Sequence, residues 1–122
     1  VFTMRTIITV LSILFMLSLP LTAMAKEEPM QLPAGSNSGA DMHNKAGIKH
    51  WGMGHSEEAL KHFKEAAAED SSIAEIHFNE AVALDKMGDH GAATKHFKKA
   101  KSLAKGNDKI LNSPILKGHV GH

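Results

Sequence analysis

The sequence predicts an all-α protein of two helix–turn–helix units followed by a short C-terminal capping helix. Three observations indicate this fold: a pattern that recurs after 34 residues, apolar residues at helical spacing within each copy, and glycines at the ends of the apolar segments. A fixed period of about 20–50 residues marks an array in which each unit buries its apolar face against the next. Glycine commonly ends a helix because it adopts the left-handed conformation at low cost.

The first 25 residues predict a secretory signal peptide. Arg5 precedes an apolar run over residues 7–21, and residues 22–25 form a small-residue ending. This order of charge, apolar run and small residues is typical of a cleaved leader. The run is shorter than the ~20 residues that a membrane-spanning helix needs. We therefore expect cleavage after residue 25, export to the bacterial periplasm or the medium, and no stable membrane anchor afterwards.

Composition argues against several classes of function. The chain has no Cys, so it can form neither disulfides nor thiolate metal sites. Lys and Arg together number 14 against 13 Asp and Glu, and Tyr is absent. Such a balanced charge argues against a nucleic-acid partner. Nine His, all after the predicted cleavage site, are the unusual feature of the composition.

The segment 26–40 is rich in Pro, Gly, Ser and Asn and predicts a flexible leader. The first unit, residues 41–72, begins with a helix from Asp41 to Trp51, with Asp41 as its N-cap. Its second helix starts at Ser56, which we expect to cap the acidic first turn.

The second unit, residues 73–105, repeats this arrangement. Its first helix, over 73–87, is the most apolar and is predicted to lie at the centre of the core. Its second helix runs over about 91–103. Residues 106–122 are predicted to form a short capping segment, interrupted by Pro114, and a loose tail that carries His.

Small and aromatic residues at equivalent positions of the two units resemble the tetratricopeptide repeat. These residues are Gly47, Ala59, Phe63 and Ala66 in the first unit and Ala81, Ala93, Phe97 and Ala100 in the second. The turns Met53-Gly54-His55-Ser56 and Met87-Gly88-Asp89-His90 match the signature turn of that family. The resemblance covers about residues 40–105 and implies a stack of helical hairpins that binds other proteins.

By motif position, the resemblance implies a partner-binding concave face. Its residues would be Asp41, Asn44, Ile48, Trp51, Glu75, Phe78, Val82 and Asp85. Trp51 would be the natural anchor, because exposed aromatic residues often dominate binding energy. Ordinary core packing is the alternative role for the apolar members. Two units are fewer than the three that such stacks usually need, so a capping helix or a homodimer is expected to cover the open end.

Short runs such as residues 47–50 and 92–96 also resemble the small exported His-rich metal-binding proteins of the SmbP type. This second resemblance covers the same span and lies in composition. It implies a Cys-free helical protein that binds or buffers metal ions.

The second helix carries His55, Glu58, His62, Glu65 and Glu69 in one column at steps of three and four residues. Imidazoles and carboxylates on one helix face can bind Zn, Ni or Cu(II). The alternative is a solvated face on which His and Glu simply pair.

Two further sets of His complete the metal hypothesis. His43 and His77 occupy equivalent positions of successive units, as do His62 and His96, and stacking could bring each pair to one ion. Duplication of the unit would copy the same residues without any ion. His119 and His122 add donors on the predicted loose tail, where ordering the tail would cost entropy.

No arrangement of residues indicates catalysis. The chain lacks a nucleophile elbow, a phosphate-binding Gly loop and a His-Glu-x-x-His motif. We therefore expect a protein that is not an enzyme: an exported scaffold for protein–protein interaction or, as the alternative, a small periplasmic protein that binds or buffers Zn, Ni or Cu(II).

Overall fold

A computed structural model describes residues 27–121, which contain six α-helices. The helices are α1 (Ser38–Gly52), α2 (Ser56–Glu69), α3 (Ala74–Lys86), α4 (His90–Leu103), α5 (Asp108–Leu111) and α6 (Pro114–Val120). This range contains no strand, so the predicted all-α class is confirmed. The predicted signal peptide, residues 1–25, lies outside the described residues, as does His122.

The first four helices pack as two successive hairpins. Helix α1 packs against α2, α3 packs against α4, and α2 joins the hairpins by packing against α3. Helix α4 begins and ends 34 residues after α2. The turns also correspond, since Gly54 and Gly88 have φ of +77° and +86°. A left-handed residue is tolerated there because Gly has no Cβ. None of the helices in residues 27–121 is long and apolar enough to cross a membrane.

Small residues allow the helices of each hairpin to approach closely. A Cβ added to Gly47 of α1 would lie 2.7 Å from Cδ1 of Phe63 on α2, and closer still to Cε1. Ala81 and Phe97 occupy the equivalent positions of the second hairpin, and both are fully buried. The repeated small and aromatic pattern of the sequence is therefore the contact between paired helices.

Helix α3 lies at the centre of the core, as predicted. Every residue from Ala74 to Leu84 is buried. Phe78 meets Phe97 edge to face, with ring centroids 5.7 Å apart. The helix has a weak amphipathic pattern because it is buried on all sides, and its buried residues include the polar side chains of Glu75, His77, Asn79 and Glu80.

The predicted N-caps of the first two helices differ from the structure. Helix α1 begins three residues before Asp41, because the Asn37 side chain accepts a hydrogen bond from the Ala40 N–H. Helix α2 begins at Ser56 itself, and His55 precedes it without a capping side-chain bond. The difference at α1 arises because Asn37 and Asp41 are competing cap residues a few positions apart.

The segments on either side of the hairpins are packed. Leu32, in the predicted flexible leader, is buried in a small cluster with Ala66 and Ile76. The predicted loose tail instead forms α6 as far as Val120, capped by Ser113 and packed against α4. Pro114 therefore starts a helix, since proline at the first helical position needs no N–H partner.

Candidate metal-binding clusters

Three clusters of two His and one carboxylate lie within residues 27–121. In each cluster the three potential ligand atoms lie within 4.8 Å of one another. We call them the α1–α2 cluster (His43, His62, Glu65), the α3–α4 cluster (His77, Glu80, His96) and the α6 cluster (Asp85, His90, His119).

The α3–α4 cluster is the most buried. The side chains of Glu80 and His77 are 4% and 9% exposed, whereas His96 is half-buried. One oxygen of Glu80, Oε2, lies 3.2 Å from Nδ1 of His77 and 2.9 Å from Nδ1 of His96. The two imidazole rings stack with centroids 5.9 Å apart. Three donor atoms thus converge on one point between α3 and α4.

Hydrogen bonding fixes the tautomer of His77. Its Nε2 lies 2.7 Å from the carbonyl oxygen of Ser71. A carbonyl can only accept, so Nε2 carries the proton. In neutral His77 the Nδ1 lone pair then faces the Glu80 carboxylate, and this contact needs a positive charge between the two atoms. Either a proton on Nδ1 or a metal ion supplies that charge, and metal-bound His characteristically donates its other N–H to a carbonyl in this way.

The charges of this cluster support each other. The hydrogen bond to Glu80, opposed by burial and helped by the bond to Ser71, raises the pKa of His77. Burial raises the pKa of Glu80, but the hydrogen bonds from His77 and His96 outweigh it, and the pKa of that carboxyl is lowered overall. The site therefore holds an ionised carboxylate between two imidazoles.

The α1–α2 cluster is the counterpart of the α3–α4 cluster in the first hairpin. Oε2 of Glu65 lies 3.0 Å from Nδ1 of His43 and 3.3 Å from Nδ1 of His62. The side chains are 25–38% exposed, so the site is open to solvent. The imidazole positions match those of the second hairpin, but Glu65 lies on the second helix of its hairpin and Glu80 on the first.

A row of imidazoles extends from this cluster. His50 of α1 stacks on His62 with ring centroids 5.1 Å apart, and His55 lies against His50 at 5.8 Å. Nδ1 of His50 and Nδ1 of His62 are buried and have no hydrogen-bond partner in the part of the chain that the structure describes, since the Glu65 carboxylate approaches Nδ1 of His62 to 3.3 Å without hydrogen-bond geometry. Buried polar atoms are normally paired, so two adjacent exceptions require an explanation.

The α6 cluster joins three helices. Oδ1 of Asp85 on α3 lies 2.6 Å from Nδ1 of His90 on α4 and 2.7 Å from Nε2 of His119 on α6. Burial raises the pKa of Asp85, but the hydrogen bonds from His90 and His119 outweigh it, so the pKa is lowered overall.

Thr94 orients His119 much as Ser71 orients His77. The Thr94 hydroxyl donates to the His90 carbonyl at 2.9 Å and lies 2.8 Å from Nδ1 of His119. Because its one hydrogen is used, the hydroxyl accepts from Nδ1, and Nε2 of neutral His119 presents a lone pair toward Asp85. In two of the three clusters, a hydrogen bond to one ring nitrogen of an imidazole thus orients the other ring nitrogen toward the carboxylate.

The structure pairs the predicted metal residues differently from the expected pairs. His43 meets His62, and His77 meets His96, so each pair lies within one hairpin rather than between successive hairpins. The packing of α1 on α2 and of α3 on α4 brings the two imidazoles of each pair together. His119, expected on a loose tail, is held against Asp85.

The predicted column on α2 contributes only part of a cluster. His62 and Glu65 form their contact within the helix, but the third ligand comes from α1. Glu58 and Glu69 are exposed and belong to none of the three clusters, and His55 contacts His50 instead.

Sequence reasoning did not identify Glu80, Asp85 or His90 as candidate metal ligands. A signal for Glu80 was present, since His77 and Glu80 share the three-residue spacing of His62 and Glu65. No local signal existed for His90, because its partner Asp85 lies on the preceding helix and was predicted to contact a protein partner.

Most of the predicted partner-binding face is covered. Four of its residues are buried: Asn44, Glu75, Phe78 and Val82. Ile48 and Trp51 are half-buried and pack against the core, while Asp41 forms an ion pair with Lys45 at 2.7 Å. Asp85 belongs to the α6 cluster.

The leader itself covers this face. Met30 N–H donates to Oδ1 of Asn79 at 2.6 Å, and the Met30 carbonyl accepts from the side chains of Asn44 and Asn79 at 2.9 and 2.8 Å. Glu27 accepts from the hydroxyl of Ser113 at 2.5 Å. The part of the expected flexible leader around Met30 is therefore held in place through hydrogen bonds to its main chain.

No protein-family model matches this chain, and no curated protein or solved structure matches it either. Function is therefore inferred from the residues and geometry of this chain alone.

Proposed function

We propose that this protein binds divalent transition-metal ions at its three His-and-carboxylate clusters and acts as a small metal-binding or buffering protein. The observation that carries the proposal is the convergence of two imidazoles and one carboxylate at three separate places in a chain of this size. Paired surface charges alone would not account for His77 and Glu80, which are buried. Buried charged groups are rare unless they pair or coordinate a metal.

The donor atoms define the class of ion. Imidazole nitrogen suits Zn, Cu and Ni, whereas Mg and Ca prefer all-oxygen sites. Two His and one carboxylate leave coordination positions for water, as in open zinc sites. Open coordination at three-ligand sites favours exchangeable binding, which suits a buffer rather than a permanent structural metal.

Export fits this proposal. The predicted signal peptide would deliver the chain to the periplasm or the medium, where Cys-based metal sites are prone to oxidation. A protein without Cys that presents imidazoles keeps its metal sites under those conditions. The helical hairpins would then serve to hold imidazoles of neighbouring helices at a fixed separation.

Calorimetric titration of the full chain with Zn, Ni and Cu(II) at about pH 7.5, where imidazole is neutral, tests the proposal. We expect more than one ion per chain. His43→Gln, His96→Gln and His90→Gln each remove one ligand from a different cluster and should each weaken the binding of one ion. Lys95→Gln, next to His96 on the exposed face of α4, is the matched control and should bind as the wild type does. Heats no larger than those of a disordered peptide with equal His content would refute metal binding.

Protein–protein interaction is the second candidate function, and the held leader favours it. The hydrogen bonds that Asn44 and Asn79 form with Met30 all involve its main-chain atoms. Main-chain bonds select an extended conformation rather than a sequence, so the same face suits an extended segment of a tetratricopeptide-type partner. A homodimer that exchanges leaders is one form of this function.

Release of the leader tests this candidate. Leu32→Asp places a charge in a buried apolar cluster and should free the segment. A synthetic peptide of residues 27–36, followed by Trp51 fluorescence, should then bind in trans. Adding Asn79→Leu to the variant should abolish that binding. Failure of the peptide to bind once the leader is released would exclude this face as a docking site.

A further inference from the structure

We propose that His50 and His55 extend the α1–α2 cluster into an imidazole-rich site that takes Cu(II) before the other two clusters do. The inference rests on the proposed metal-binding function and names the ion and the ligands of one site. Neither residue belongs to the three clusters described above.

Four imidazoles form a continuous row at this site. His43 stacks on His62 with ring centroids 6.3 Å apart, His62 on His50 at 5.1 Å, and His50 contacts His55 at 5.8 Å. The row crosses from α1 to α2 and ends at the turn between them. The second hairpin has one stacked pair at the equivalent place, His77 and His96.

Two ring nitrogens in this row have no hydrogen-bond partner, unlike the other buried side-chain nitrogens and oxygens of residues 27–121. Nδ1 of His50 and Nδ1 of His62 are buried without a hydrogen-bond partner. An unsatisfied buried acceptor or donor is costly, so such atoms are normally bonded or removed by substitution. A metal ion would satisfy such an atom, because a neutral imidazole nitrogen is a ligand as well as an acceptor.

Comparison with the second hairpin shows that packing does not require these His. Residue 84 is equivalent to residue 50, and there the second hairpin buries Leu84. Asp89 is equivalent to His55 and caps α4 through its side chain, whereas His55 makes no such bond to α2. An apolar residue and a capping residue therefore satisfy the same fold, and the first hairpin carries imidazoles instead.

The turn holds the added ligands in place. His55 N–H donates to the carbonyl of His50 at 2.9 Å, and Gly54 supplies the left-handed residue between them. His55 is exposed and His50 is half-buried, so an ion can reach the row from solvent. The short closed turn reduces the entropy that would be lost in bringing the two rings together.

Donor type explains the preference for Cu(II). The α3–α4 and α6 clusters offer two imidazoles and one carboxylate each, whereas the α1–α2 cluster offers the same set with two further imidazoles, His50 and His55, in the adjoining row. Cu(II) binds nitrogen donors most tightly among the divalent first-row ions and accepts tetragonal geometry. The site with the most imidazoles should therefore fill first with this ion.

Electron paramagnetic resonance of the full chain with one equivalent of Cu(II) tests the inference. Wild type should show more equatorial nitrogen ligands than His50→Leu or His55→Gln, because each variant removes one donor. His50→Leu introduces the residue that the second hairpin has at the equivalent position, so this variant should fold. His55→Gln changes an exposed side chain that does not cap α2. Lys49→Gln is the control that keeps all imidazoles.

Calorimetry supplies the affinity. We expect the first equivalent of Cu(II) to bind about tenfold or more weakly in His50→Leu, which is the scale of effect seen when the surroundings of a metal are altered. Identical spectra and first-equivalent affinities in wild type and His50→Leu would overturn this inference while leaving the three clusters intact. Absence of any Cu(II) binding by wild type would instead overturn the proposed function, and this inference with it.

Discussion

The two hairpins keep the same pair of imidazoles but surround it differently. In the first hairpin the His43 and Glu65 side chains are 25% and 38% exposed, whereas in the second His77 and Glu80 are 9% and 4% exposed. The second pair is buried because α3 has helices on both sides and α1 does not. A repeated unit therefore produces one open, solvated cluster and one buried, preorganised cluster.

The carboxylates of the two clusters lie at non-equivalent positions of the repeated unit. Glu65 has Lys99 as its equivalent in the second hairpin, and Glu80 has Ala46 in the first. Repetition of the unit explains the shared His but cannot explain a carboxylate in each cluster that comes from a different helix. Convergence on the same donor set favours a shared role in binding cations.

Glu80→Gln should show the largest difference in stability between the two clusters. Glu80 accepts from two imidazoles in a buried site, so at about pH 6, where His77 is protonated, its loss leaves an unpaired buried charge. We expect destabilisation of about 3 kcal/mol. Glu65→Gln, the matched change in the open cluster, should cost less than about 0.5 kcal/mol because solvent screens the pair. Chemical denaturation measures both, and equal losses would show that burial does not separate the clusters.

The pH dependence of the metal-free protein should come from the buried cluster. The raised pKa of His77 gives stability that is complete below its ordinary value of 6.5 and is lost as pH rises through the raised value. The lowered pKa of Glu80 gives stability that is complete above its ordinary value of 4.5 and is lost as pH falls through the lowered value.

Thermal unfolding with a chelator should therefore show greatest stability between those two ordinary values and a decline toward about pH 8. Added Zn should reverse the decline, since metal replaces the proton that His77 loses. Glu80→Gln should flatten the profile. A metal-free profile that rises steadily from about pH 6 to 8 would contradict the assigned shifts.

Gly47→Ala tests the closest contact of the first hairpin. The new methyl group would collide with the Phe63 ring, and overpacking of this kind costs about 2 kcal/mol. The reverse change in the second hairpin, Ala81→Gly, should cost about 1 kcal/mol, mainly through helix propensity. Denaturant titration distinguishes the two, and a neutral Gly47→Ala would mean that the hairpin can open to admit the methyl group.

Thr94→Val tests the fixed orientation of His119. The change keeps the shape of the side chain and removes the oxygen that accepts from Nδ1. We expect the ion of the α6 cluster to bind about tenfold more weakly, as is usual when a hydrogen bond that orients a metal ligand is lost. Calorimetric titration of this variant alongside His90→Gln identifies the affected ion, and unchanged affinity would show that Thr94 does not position the ligand.

His50→Leu should stabilise the metal-free protein by about 1 kcal/mol, because it removes a buried nitrogen without a partner. The opposite exchange, Leu84→His, should lower stability by burying an imidazole in an apolar site. Thermal unfolding in the presence of a chelator measures both. A clear loss of stability in His50→Leu would mean that the imidazole contributes to packing even without metal.

Much of the fold could be predicted from the sequence because its determinants are local. Helical spacing, the Gly54 and Gly88 turns and the repeated small residues fix two hairpins without reference to distant parts of the chain. The same local geometry predicts the contacts of His62 with Glu65 and of His77 with Glu80, since residues three apart on a helix are neighbours.

Tertiary structure alone decided which helices share a site. Placing His43 beside His62, or His119 beside Asp85, depends on how helices rotate and cross, and no spacing along the chain encodes that. The leader was predicted to be flexible because its composition offers little to bury, yet Asn44 and Asn79 hold its main chain. Hydrogen bonds to the backbone leave no mark on the sequence of the segment they hold, so only the folded chain reveals them.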